Sequence, residues 1–172
     1  MYSVDRKDRV QKLMDIPLSS VGAPIPAVVA GEHEVAVLFY AQDEDPNWDG
    51  TTVRVVGADS ASETCVIVRF KNACAHLFGP PNDEAISGHP LYSRGLEPHG
   101  NFEVLNSSWI RTLERMNSVH PQHDKKKYLS NRRHFVLAFH DSTFECVARC
   151  YEFSIHPGSI CSHLVQIGPE VV

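Results

Sequence analysis

Residues His134 to Phe153 read HFVLAFHDSTFECVARCYEF, a pattern in which a β-hairpin would bring an imidazole and a carboxylate together. Pairing across a two-residue Asp141-Ser142 turn, or across a four-residue loop from His140 to Thr143, gives one register, with Phe139 opposite Phe144. One face then carries Phe135, Leu137, Phe139, Phe144, Cys146 and Ala148. The other sets His134, Val136, Ala138 and His140 against Thr143, Glu145, Val147 and Arg149, which makes His140 and Glu145 diagonal neighbours near the turn. A carboxylate beside an imidazole fixes its tautomer and raises its basicity, as a general base or a metal-bound histidine requires. His140 and Glu145 are therefore the candidate catalytic pair. The competing reading is a solvated hairpin tip held by turn hydrogen bonds from Asp141 and Thr143. A Ser142 nucleophile is disfavoured, because no G-x-S-x-G elbow occurs.

A second set of polar groups falls in residues 79–100, GPPNDEAISGHPLYSRGLEPHG, where prolines and glycines remove any usable period. Long connections of this kind inside compact domains tend to be binding loops or disordered segments. Leu91, Tyr92 and Leu96 argue for packing, hence for an ordered loop. Asn82, Asp83, His89, Tyr92 and Arg94 offer acceptors, a titrating group and a cation, suited to lining a pocket for a small polar or anionic molecule.

Nine of the ten histidines lie between His76 and His163, and imidazole is the commonest metal ligand. The spacings are poor for a metal. His120-Pro-Gln-His123 lacks the HExxH helical geometry, and Cys161 and His163, placed on one side of an expected strand, have no partner pair. No metal site is assigned and no cofactor is named.

The positioning elements follow from period and punctuation. Ser3 is expected to cap a short surface helix running to about Met14, with Val10, Leu13 and Met14 as a weak apolar edge. Ala27 to Ala30 and Glu34 to Ala41 read as strands, Asp43 to Gly50 as an acidic loop, and Thr51 to Val56 and Thr64 to Phe70 as further strands of a meander. Asn72 to Phe78 extends the last of these through a bulge. Phe102 to Leu105 is a short strand. The best helix follows, capped by Asn106 or Ser107, with Trp109, Ile110, Leu113 and Met116 on one face and Pro121 beyond its end. The basic segment Lys125 to Arg133 is expected to be a solvated connector into the hairpin. These elements make a single α+β domain over residues 1–172, mainly an antiparallel sheet or small open barrel with one or two packed helices.

The 172 residues are 42% hydrophobic and 22% charged, with a net charge of -5. That balance gives no reason to expect nucleic acid. The charged start MYSVDRKDRVQKLMD is unlike a secretory signal, and no run reaches the roughly 18 apolar residues of a membrane span. A cytoplasmic protein is expected, with all five cysteines reduced and mostly buried, since Cys65, Cys74, Cys146, Cys150 and Cys161 form an odd set without CxxC spacing.

The segments FGPPNDEA, GHPLY, FEVLNSSWI, MNSVHP and HFVLAFHDSTFECVA together resemble a family of uncharacterised bacterial proteins. The resemblance covers the middle and C-terminal parts and implies a bacterial, cytosolic protein, but it brings no activity and no site residue. The residues alone leave two functions open besides a third, that of a metal protein. One is a polar small-molecule site, enzymatic or not, between the 79–100 loop and the 134–153 hairpin. The other is a protein-protein interaction module without catalysis, engaging a partner through a sheet edge or loop.

Overall fold

The computed structural model describes residues 2–43, 51 and 55–171. Nine strands form two open antiparallel sheets, and three helices cover parts of them. The first sheet has the order β1-β6-β7-β8-β5, from Arg9–Lys12 (β1), Ala75–Gly79 (β5), Gly100–Leu105 (β6), Arg133–Ala138 (β7) and Thr143–Ala148 (β8). The second has the order β2-β3-β4-β9, from Ala27–Ala30 (β2), Glu34–Tyr40 (β3), Thr64–Lys71 (β4) and Cys150–Pro157 (β9). The helices are Ser108–Asn117 (α1), Lys125–Ser130 (α2) and Ile160–Val171 (α3). The fold is α+β with mainly antiparallel sheet, and the sheets stay open rather than closing into a barrel. No described helix is long and apolar enough to cross a membrane.

The sheets share a core between them. Val35, Val37, Phe39, Val66, Val68 and Phe70 from one meet Phe135, Leu137, Phe139, Phe144, Cys146 and Ala148 from the other. Both outer faces are also covered. Tyr2, Ile86, Leu91, Leu96, Trp109 and Ile110 pack on Phe102, Val104, Val136 and Val147 of the first sheet. Ile160, Ile167 and Val171 of α3 pack on Ala36, Leu38 and Ile67 of the second. Strands buried on both sides need apolar residues at nearly every position, which is why β3 and β8 read as runs, EVAVLFY and TFECVA, rather than as alternations.

One two-stranded ribbon joins the sheets at a corner. β4 pairs with β9 in the second sheet, and their continuations β5 and β8 pair in the first. Two local devices turn the chain there: Asn72 takes φ 51°, and between the two ladders the three residues 72–74 face only Ala148 and Arg149, so the surplus residue lies on the Asn72 side while the Arg149 N–H reaches Lys71 O at 3.0 Å.

Several sequence expectations need correction. Residues 3–14 do not form a helix: the chain is extended over Arg9–Lys12 because β6 offers an unpaired edge, and Val10 pairs with Val104. The hairpin is displaced by two residues, so Phe144 faces Leu137 rather than Phe139, and the tip is His140-Asp141, closed by Phe139 N–H to Ser142 O at 2.8 Å. A displacement of two leaves every side chain on its expected face, so the expected core set is nevertheless the observed one. Phe139 is buried beyond the ladder, its ring 5.3 Å from that of Phe39. Met116 is exposed and is not part of the buried face of α1. Residues 125–130, expected as a solvated connector, are indeed largely exposed and take the form of a short helix, α2, capped by Asp124. Cys161 and His163 lie on α3, not on a strand. All five thiols are free, with Cys65 and Cys146 buried, Cys150 intermediate, and Cys74 and Cys161 exposed. The acidic loop and strand expected across residues 43–56 fall largely outside the described residues.

Phe144 lies between the sheets, its ring 5.4 Å from that of Phe70. Phe144→Ala is expected to cost about 3–5 kcal/mol in urea unfolding, the usual range for a buried Phe, whereas Met116→Ala stays within about 0.5 kcal/mol. A loss below about 1 kcal/mol at Phe144 contradicts this core.

Candidate functional site

The 79–100 loop crosses the outer face of the first sheet, and two polar clusters form beneath and beside it. The loop is ordered, with short 3-10 turns at Ile86–Gly88 and Tyr92–Arg94 and with Leu91 and Leu96 buried. It is tied to the hairpin tip by Asp83 N–H to His140 O at 2.9 Å and by Thr143 Oγ1 to Pro81 O at 2.9 Å.

The first cluster is sealed. Glu145 projects from the centre of β8 onto the face that Tyr2, His89 and α1 cover, and it is 4% exposed. Its Oε2 accepts from the Tyr2 hydroxyl at 2.5 Å and from His134 Nε2 at 3.0 Å, while Oε1 stands 3.3 Å from His89 Nε2. The tautomers follow from the second ring nitrogens. His89 Nδ1 accepts the Leu91 N–H at 3.1 Å, and His134 Nδ1 takes the Ser107 hydroxyl at 2.9 Å, so both Nε2 protons point at the carboxylate. Ser107 also accepts the Ile110 N–H at 3.2 Å and caps α1. Burial alone would raise the Glu145 carboxyl, but hydrogen bonds from His134, His89 and Tyr2 outweigh it and hold it down at about 2. Burial, then the charge of Glu145, pushes the Tyr2 phenol well up, so it stays a donor.

The second cluster is open to solvent. Asp83 Oδ2 lies 2.8 Å from His140 Nδ1 and 2.9 Å from His99 Nε2, and the two imidazole rings are 6.1 Å apart and nearly parallel. One ligand-capable atom from each residue lies within 4.8 Å of the others. The side chains of His140, His99 and Asp83 are 40%, 27% and 13% exposed. The Glu84 N–H fixes Asp83 Oδ1 at 2.7 Å. His99 is held at φ 53°, a region few non-glycine residues occupy. The hydrogen bond from His140 lowers the Asp83 carboxyl, and the same contact raises His140.

The candidate residues are thus divided between two places. His140 and Glu145 are not partners: the two-residue displacement puts His134 diagonal to Glu145 and carries His140 to the tip, where it meets Asp83. His89 belongs with Glu145. Asn82 accepts the Ala85 N–H at 3.1 Å and shapes the loop. Tyr92 and Arg94 sit on the second 3-10 turn; the Tyr92 N–H donates to His89 O at 2.9 Å, and among the described residues no side-chain hydrogen bond or ion pair joins either of them to a cluster. Tyr2, Ser107, His134 and His99 were missed by sequence reasoning, although His134 already stood on the Glu145 face. Two surface clefts, of about 310 and 220 Å³, lie elsewhere: the first shares Tyr2 with the Glu145 cluster and is otherwise lined by residues such as Asp5 and Arg111, and the second is lined by His120, His123 and Tyr128 among others.

No protein-family model, curated protein or solved structure matches this chain.

Glu145 has its folded-state carboxyl below its ordinary value of 4.5, at about 2, so the stability it adds is fully present above pH 4.5 and disappears as pH falls through 2. Glu145→Gln is expected to cost about 2–3 kcal/mol at neutral pH. It should also flatten the acid-side decline of stability across that window, read by urea unfolding at a series of pH values. An unchanged acid limb would show that the carboxylate is not held in this way.

Proposed function

We propose that Asp83, His99 and His140 bind one divalent transition-metal ion, with zinc as the expected species, and that its remaining coordination positions take water or a small polar or anionic molecule. The observation that carries this reading is the convergence of two imidazoles and one carboxylate on a point reachable from solvent. Zinc bonds to nitrogen and oxygen are about 2.0–2.2 Å, which sets ligand atoms of a tetrahedral site about 3.3 Å apart. The contacts of 2.8 and 2.9 Å to Asp83 need to open by only a few tenths of an ångström. The backbone bond between Asp83 and His140 holds two of the ligands in register before any ion arrives.

Three protein ligands with an open position are the arrangement of catalytic rather than structural zinc sites. Held by Asp83, His99 and His140, an ion would supply Lewis-acid polarisation of a carbonyl or phosphoryl oxygen or a bound water of lowered pKa, so metal-assisted hydrolysis is the chemistry it would make available. Glu145 takes no direct part, because it is buried away from the trio and faces three buried donors of its own. The setting that goes with this reading is a bacterial cytosolic protein of one domain, in which five free thiols stay reduced.

Isothermal titration of the metal-stripped full chain with zinc chloride is expected to show one saturable equivalent and a raised melting temperature, since the ion binds only the folded form. Asp83→Ala and His140→Ala should each weaken binding by about two orders of magnitude or more, because losing a ligand exceeds the 10–100-fold effect of losing a ligand's supporting group. His33→Ala, on an exposed turn, should leave it unchanged. Absence of saturable binding, or binding that survives Asp83→Ala, overturns the proposal and leaves the trio as a latch between loop and hairpin.

A further inference from the structure

The second sheet ends on β9, and no described strand pairs with its outer edge. This edge is eight residues long and carries little of what normally blunts an edge strand, with Pro157 only at its end. Phe153 and Ile155 are 37% and 52% exposed, and Glu152, Ser154 and His156 are exposed on the other face.

The direction of the free backbone groups can be derived. Gly158 N–H donates to Glu63 O just beyond the β4–β9 ladder, and the ladder aligns Thr64 with Pro157 and Lys71 with Cys150. Antiparallel ladders alternate, so Glu152, Ser154 and His156 direct their backbone groups toward β4. Tyr151, Phe153 and Ile155 direct theirs outward. The next outward position is Pro157, which has no N–H to leave unpaired.

We propose that this edge pairs antiparallel with the same edge of a second copy of the chain, centred on Ser154. In that register Phe153 exchanges both backbone bonds with Ile155 of the second copy, and their side chains lie on one face, apolar against apolar. Glu152 faces His156 of the second copy in the non-hydrogen-bonded positions, where side chains approach most closely. Tyr151 N–H faces the Pro157 carbonyl of the second copy. The strand is therefore self-complementary in charge, apolarity and backbone donors, as a two-fold interface requires. A register centred on Glu152 would set two carboxylates against each other. This proposal is independent of the metal site, whose ligands lie on the loop and the hairpin tip of the other sheet.

Sedimentation velocity on the full chain across micromolar concentrations is expected to show a monomer–dimer equilibrium. Ile155→Pro removes an outward N–H while sparing the bonds to β4, and should give a monomer with unchanged far-ultraviolet circular dichroism. His156→Glu places carboxylates opposite one another at two symmetric positions and should raise the dissociation constant about tenfold. Adding Glu152→Lys to that variant should restore dimerisation, which also keeps the test decisive if the proline variant fails to fold. A wild-type chain that stays monomeric, a dimer indifferent to both His156→Glu and a folded Ile155→Pro, or a charge swap that fails to recover association overturns the proposal.

Discussion

The carboxylate of Glu145 is the point on which the outer half of the molecule converges. It receives hydrogen bonds or close contacts from three separate parts of the chain, Tyr2 at the start, His89 in the long loop and His134 on β7, and His134 in turn links it to the Ser107 that caps α1. Burying a carboxylate costs several kcal/mol, and charge-assisted hydrogen bonds return about 1.5–3 kcal/mol each. Only the full set of donors makes the ionised form acceptable in an apolar layer. The network consequently favours the one arrangement in which the N-terminal segment, the loop and α1 are all docked, and it penalises partial ones by leaving a charge unpaired.

The two-sheet architecture sets where such a network can exist. The face between the sheets is lined by aromatic and aliphatic side chains from both. Polar groups that must be buried therefore go to the outer face of the first sheet, where irregular chain with spare donors is available. On the second sheet the outer face is met by α3 instead. Ser159 accepts the Ser162 N–H there, and the Tyr40 hydroxyl accepts the Ile160 N–H, fixing the start of the helix. The surplus residue in 72–74 and the left-handed turn at Asn72 allow one ribbon to serve both sheets.

Period was legible in the sequence wherever it decided which face a residue takes. The inner face of the hairpin follows directly from it, as does α1 with Ser107 at its cap, while Ala27–Ala30 and Glu34–Tyr40 were legible as short apolar runs bounded by turn residues. Registers that differ by two residues bury the same side chains, so pattern alone does not choose between His140 and His134 as the partner of Glu145. The choice is made by the turn closed between Phe139 and Ser142. Residues 3–14 failed for another reason, since an exposed edge on β6 outweighs a weak helical pattern. The α3 signal was present but unread: Ser159 precedes Ile160, Leu164, Ile167 and Val171, which recur at helical spacing and line one side of the packed layer. Nothing local in the sequence links His99 to Asp83, because their contact depends on how the whole loop folds back on itself.

The two carboxylates on this side of the molecule show how environment separates structural from chemical roles. Both Glu145 and Asp83 are held ionised by imidazoles. Glu145 is enclosed, its oxygens met by a phenol and two rings whose second nitrogens are also occupied, and its burial leaves no path for an incoming group. Asp83 has one oxygen fixed by the Glu84 N–H and the other shared between two half-open histidines. The His99 Nδ1 atom is buried with no partner among the described residues, the kind of group that water or an ion satisfies. Capacity for further bonding, rather than the acid-imidazole pairing itself, therefore distinguishes the proposed binding centre from the structural network, and it points to the hairpin tip instead of its middle.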